Sequence, residues 1–139
     1  MTPLTSRQVQ SDIYQFLRDS ALSEMISGEV YRNGMRPRGS KAEDAVVTFI
    51  TGMIGETQTG VVAVNIFVPD CDPYRNGIYV EDSERTEEIE VEAGKWVESL
   101  TCARSNYKFR LNATIQTFEE SATHEHVVSV RLGYEYWNK

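Results

Sequence analysis

Between Gly60 and Pro69 the chain reads Val-Val-Ala-Val-Asn-Ile-Phe-Val. β-Branched and aromatic side chains favour an extended strand, and Pro69 ends it because a proline cannot donate to a ladder. Successive side chains of a strand point to opposite faces, and here both faces are apolar. A strand of this kind needs cover on both sides. The sequence offers a long amphipathic helix before it and another after it. If both lie on one face, the other face requires a second layer or another subunit, and this predicts oligomerisation.

The remaining elements follow from periodicity. Thr5 and Gln8 have capping-box spacing, and Val9, Ile13, Phe16 and Leu17 form one stripe of a first helix. A short turn of helix from Ser20 to Ile26 is expected to stop at Gly28, as at a C-terminal cap. Glu29-Val30-Tyr31 reads as a short strand. Residues 45–51 pair with 61–68 in a hairpin whose glycine-rich stretch, Gly52 to Gly60, reads as a long flexible tip. A second long helix runs from about Glu84 to Leu100, capped by Ser83 or Asp82, with Ile89, Ala93, Trp96, Val97 and Leu100 as its stripe. The chain closes with a hairpin. In it Tyr107, Phe109, Leu111, Ala113 and Ile115 alternate with polar residues, and Val128, Val130, Leu132, Tyr134 and Tyr136 do the same after a turn at Glu119 to Thr123. The predicted class is α+β, a mostly antiparallel sheet packed against an N-terminal helix and a second long helix, in the order α-β-β-β-α-β-β with a short helical turn after the first helix.

The length of 139 residues predicts one domain. No apolar run approaches the ~20 residues of a membrane helix, so no membrane partner is expected. The first eight residues lack a charged-then-apolar signal layout, which predicts an unexported protein. A net charge of −7 disfavours a general phosphate-backbone binder, a local basic patch being left open, and no sequence-specific nucleic-acid partner is expected. That charge is unevenly placed. Residues 81–98 hold eight acids against two bases, whereas 32–41 hold Arg32, Arg36, Arg38 and Lys41 with no acid. Complementary surfaces of this kind allow copies to meet head to side. The candidate subunit contacts are therefore Arg32, Arg36, Arg38 and Lys41 on the loop, with Glu84, Glu88, Val91 and Glu92 on the second helix; Val91 sits among the glutamates on the wet face.

No catalytic, cofactor or metal site is assigned. His124 and His126 would share one strand face, yet spacing identifies no third ligand, so they read as surface histidines. Asp70, Asp72 and Asn76 lack the terminal glutamate of a calcium loop and read as turn formers. Cys71 and Cys102 have no ligand-like spacing and read as free thiols, with a disulfide between them as the alternative. There is no phosphate-binding glycine loop, no nucleophile elbow and no zinc-protease motif.

In its order of elements the chain resembles the tail-completion (tail-terminator) proteins of long-tailed bacteriophages and prophages. The resemblance rests on Gly28-Glu29-Val30-Tyr31 after the first helix, Arg36-Pro37 in the loop, Glu43-Asp44-Ala45-Val46-Val47 opening a strand, and Gly60 to Pro69 as its partner, followed by a helix and a hairpin. It implies a non-enzymatic structural protein without cofactors, cytoplasmic during assembly and then part of the virion tail. It also implies a ring, typically a hexamer, whose partners are its own copies, the tail tube and the head connector. Two other readings compete. One is a small ligand-binding or enzyme domain with a pocket between helix and sheet lined by Tyr107, Tyr134, Tyr136 and Trp137; the other is an acidic immunity- or adaptor-type module.

Overall fold

The computed structural model describes residues 2–103 and 105–137. Helix α1 (Ser6–Arg18) opens on a complete capping box, in which Thr5 and Gln8 satisfy each other's backbone N–H. Val9, Ile13 and Leu17 are fully buried and Phe16 partly so. Ser20 caps α2 (Ala21–Met25). Strand β1 (Val30–Arg32) runs parallel to the start of β2 (Ala45–Ile54), which returns antiparallel as β3 (Gln58–Pro69). Helix α3 (Ser83–Cys102) is capped by Asp82 and buries the expected stripe together with Thr86. Strands β4 (Tyr107–Leu111), β5 (Gln116–Glu120) and β6 (Glu125–Tyr136) complete a sheet of six strands, ordered β1-β2-β3-β6-β4 with β5 also on β6. The α+β class and the mostly antiparallel sheet are as expected. No helix of the described residues is long and apolar enough to cross a membrane.

Three local expectations are corrected. The strand expected from Tyr107 through Ile115 breaks after Leu111. Its continuation β5 resumes two positions out of register on β6, since Leu111 faces Leu132 while Gln116 faces Ser129. Leu111 is exposed in consequence. The stretch from Gly52 to Gly60 is not a long tip: Gly52 pairs with Gly60, and only residues 55–57 turn. These glycines make room for the Tyr134 ring, because a Cβ on Gly60 would collide with the Thr51 carbonyl and lie 2.6 Å from the Tyr134 hydroxyl. Gly28 is not a left-handed cap either, since α2 ends at Ile26 in extended geometry. A Cβ there would strike the Asp44 carboxylate and come within 2.5 Å of the Glu43 carbonyl. In both places glycine serves close approach rather than backbone freedom.

Both long helices pack on the same side of the sheet. Val62, Val64, Ile66 and Val68 of β3 join Val128, Val130, Leu132 and Tyr134 of β6 in one core with α1, α2 and α3. On the reverse side β3 presents Val61, Ala63, Asn65 and Phe67, and no helix of the described residues covers them. The apolar excess there is smaller than the sequence suggests. Ala63 is buried, Val61 and Phe67 are half-buried, and the Arg36 guanidinium lies 4.1 Å over the Phe67 ring. Exposed apolar side chains include Met53 and Phe118, which the register sets on this same side through Thr59 and Val127, besides Ile50 and Ile54 of β2 and Tyr74, Ile78, Tyr79 and Val80 in the loop before α3.

Candidate functional site

The titratable groups most tightly held in the structure meet where β2 begins. Consecutive acids Glu43 and Asp44 point to opposite sides of the sheet. Glu43 reaches the helical side, where Arg85 of α3 donates to both its oxygens at 2.7 and 2.8 Å and to the Met25 carbonyl at 2.7 Å. The Ser27 N–H donates to the same carboxylate at 3.0 Å. Asp44 reaches the reverse side, where it accepts from Arg36 Nε at 2.9 Å, from the Ser40 hydroxyl and from the Glu29 N–H at 3.0 Å. Arg36 also binds Glu125, the first residue of β6, at 2.7 Å. Gly28 lies against both acids. The short motifs that carry the family resemblance, around Gly28, Arg36 and Glu43-Asp44, therefore converge on one ion-pair hub.

The hub is saturated. For Asp44 burial pushes the pKa up, but Ser40, Arg36 and the Glu29 N–H outweigh it and hold the carboxyl below its usual range. For Glu43 the Arg85 hydrogen bonds pull downward most strongly, burial opposes them and the Ser27 N–H adds to the fall. Neither acid is poised near neutrality, as a general acid or base would be. Both bind protons less readily folded than unfolded, so their stabilisation is complete above the unfolded values of about 3.9 and 4.3. It is lost as pH falls through the lower, folded values. The urea midpoint is therefore expected to drop between about pH 5 and about pH 3, and Arg85→Ala should flatten that slope. A midpoint independent of pH across this window would contradict the assignment.

The predicted contact residues separate into two kinds. Arg38 and Lys41 are exposed. Arg32 is exposed too, lying 5.6 Å from the Tyr14 ring centroid and 3.4 Å from the Ser11 hydroxyl. Arg36 differs, because its side chain is 17% exposed and committed to Asp44 and Glu125; it is an internal strut rather than a free surface base. On α3, Glu84 is exposed and Glu88 pairs with Arg85 at 3.1 Å. Val91 and Glu92 line a shallow groove of about 310 Å³ with Met25, Glu87, Glu88 and Lys95. The basic residues therefore divide: Arg36 lies across the reverse face, whereas Arg32 sits against α1 on the side where α3 also packs.

The remaining candidates are structural. His124 has a left-handed φ of 54° before β6 begins and stacks on Tyr79, so it shares no strand face with His126. His126 is half-buried rather than a free surface histidine, and it bonds Asp70 at 2.6 Å. No cluster of three or more metal-ligating side chains occurs among the described residues. Asp72 takes the N–H groups of Asn76 and Gly77 on its two oxygens, at 3.1 and 3.0 Å, as a turn former does. Cys71 and Cys102 are free thiols. Tyr107 and Tyr134 belong to the core, where Tyr107 packs with Phe16 and Phe109 and donates to Asp12 at 2.6 Å, whereas Tyr136 borders a small cavity beside the β2–β3 turn. What sequence reasoning missed was Glu125, Glu43 and Arg85, whose pairing spans distant parts of the chain.

Fold and site together define a small α+β domain with a one-sided helical layer and a static polar hub. No protein-family model matches the chain, and no curated protein matches it.

Proposed function

We propose that this chain is a non-enzymatic structural subunit that assembles with its own copies into a ring of the tail-terminator kind, capping a phage or prophage tail tube and joining it to the head. The observation that carries the reading is the one-sided sheet. Helices, the acidic α3 among them, cover one face and leave the other without a helical layer, and the exposed bases Arg38 and Lys41 lie in a separate loop. A head-to-tail ring requires two different, complementary surfaces on each subunit, and this arrangement supplies them. The hub contributes rigidity: Arg36 and Arg85 tie the loop, β6, α2 and α3 to the start of β2, so both surfaces are held in a fixed relation. The order of elements supports the same family.

Light scattering over a concentration series, combined with negative-stain imaging, tests this. The expected result is a closed ring, six subunits being the size that the resemblance implies. Charge reversal at Arg38 and Lys41 should weaken assembly at low salt, where interactions between exposed charges are least screened. A monomer at every concentration overturns the reading, and a stable pair with a basic partner but no self-assembly supports the adaptor alternative.

A further inference from the structure

Sheet edges present unpaired backbone N–H and C=O groups, and soluble proteins guard them with charge, proline, bulges or shortness. Most edges here are guarded. Strand β1 has only three residues and ends on Arg32. Strand β4 carries Lys108 and Arg110, β5 carries Glu119 and Glu120, and the break between them interrupts the edge. The far half of β2 is the least guarded, with one register shift between Phe49 and Thr51 and no charge. Strand β1 pairs with it only along Ala45–Val47, so from Thr48 to Ile54 no strand of the described residues lies on its outer side. No charge and no proline occurs from Ala45 to Gly55. Ile50, Met53 and Ile54 are 44%, 72% and 74% exposed there.

The other free edge at the same height is β4. Met53 pairs with Thr59, Thr59 with Glu135, and Glu135 with Lys108, so Met53 and Lys108 end the same row across the sheet. Every step in that row is antiparallel; hence β4 runs opposite to β2. Rotation about an axis along the strands preserves their direction. A β4 edge brought against the β2 edge of a rotated copy would therefore meet it antiparallel. Charge favours this pairing over a like one, because β4 against β4 sets Lys108 and Arg110 against their own copies, and like charges directly opposite are destabilising. The uncharged β2 edge accepts them without repulsion. Head-to-tail pairing also satisfies both edges, whereas a two-fold β2 contact leaves β4 open.

We propose that the free edge of β2, Thr48–Ile54, receives strand β4 of a second copy in antiparallel pairing, so that the sheets of neighbouring subunits run into one another. This rests on the self-assembly reading above and names its contact. The test uses the full chain. Ile50→Lys with Met53→Lys places two charges at exposed positions, and an unchanged thermal midpoint and circular dichroism would show the fold intact. Assembly is then expected to weaken at least tenfold in sedimentation. Separately, with Cys71→Ser and Cys102→Ser in place, chains carrying Met53→Cys are mixed with chains carrying Lys108→Cys or Arg110→Cys and oxidised. A disulfide between unlike chains supports the proposal. Full assembly of the lysine variant overturns it while leaving the ring reading standing, and a Met53→Cys chain that crosslinks only to itself overturns it in favour of a two-fold contact. A native chain that never self-associates overturns both.

Discussion

Replacing Arg36 by alanine is expected to lower the unfolding free energy by about 3–5 kcal/mol, the cost of removing one partner from a buried ion pair. Arg36 faces two carboxylates whose side chains are each only 2% exposed, Asp44 and Glu125. Without the guanidinium, Asp44 still accepts from Ser40 and the Glu29 N–H. Glu125 keeps no partner of comparable strength and would be left as an uncompensated buried charge. The Phe67 ring would lose its cover as well. Arg36→Met with Glu125→Gln should recover part of the loss, because the neutral amide removes one of the two carboxylate charges left unpaired and the apolar stem keeps cover on Phe67. Urea unfolding at neutral pH measures both. If Arg36→Ala instead left stability unchanged and abolished assembly, Arg36 would be a surface contact rather than a strut, which makes it a poor choice for charge-reversal tests of an interface.

The second large effect is expected at Gly60. Alanine there adds a Cβ that collides with the Thr51 carbonyl and sits 2.6 Å from the Tyr134 hydroxyl and 2.7 Å from its ring. Backbone cannot yield without opening the β2–β3 ladder, so a loss of about 3 kcal/mol is expected, at the upper end of overpacking costs. Gly52 offers a contrast. Its Cβ would meet the Tyr134 hydroxyl at 2.8 Å and the tip of the Phe49 ring at 3.0 Å, both side chains. Tyr134→Phe should therefore rescue much of Gly52→Ala and little of Gly60→Ala. Equal rescue at both positions would show that the carbonyl clash is not decisive. Thermal or urea unfolding of the two double mutants makes the comparison.

Periodic segments were legible in the chain because their burial follows local spacing. The stripes of α1 and α3, the capping box at Thr5 and the alternation of β6 needed no tertiary information. The break between β4 and β5 was not legible, because an alternating pattern runs from Tyr107 to Ile115 and only pairing with β6 sets the register. The glycines misled for a related reason. A run with Gly52, Gly55 and Gly60 has the composition of a loop, and only the Tyr134 ring, more than seventy residues onward, explains why Gly52 and Gly60 stand in strands. The candidate contacts were found by charge counting, which cannot distinguish exposed Arg38 from committed Arg36.

By itself the amino-acid sequence determined where the two long helices and the cores of most strands lie, that the class is α+β, and that charge divides between a basic loop and an acidic helix. Those properties depend on neighbours within a turn or a strand. Only the tertiary structure decided which acids neutralise which bases, which face of the sheet stays bare and which edge stays unpaired. Each of these is a contact between residues far apart in the chain, and local patterning carries no record of such pairings.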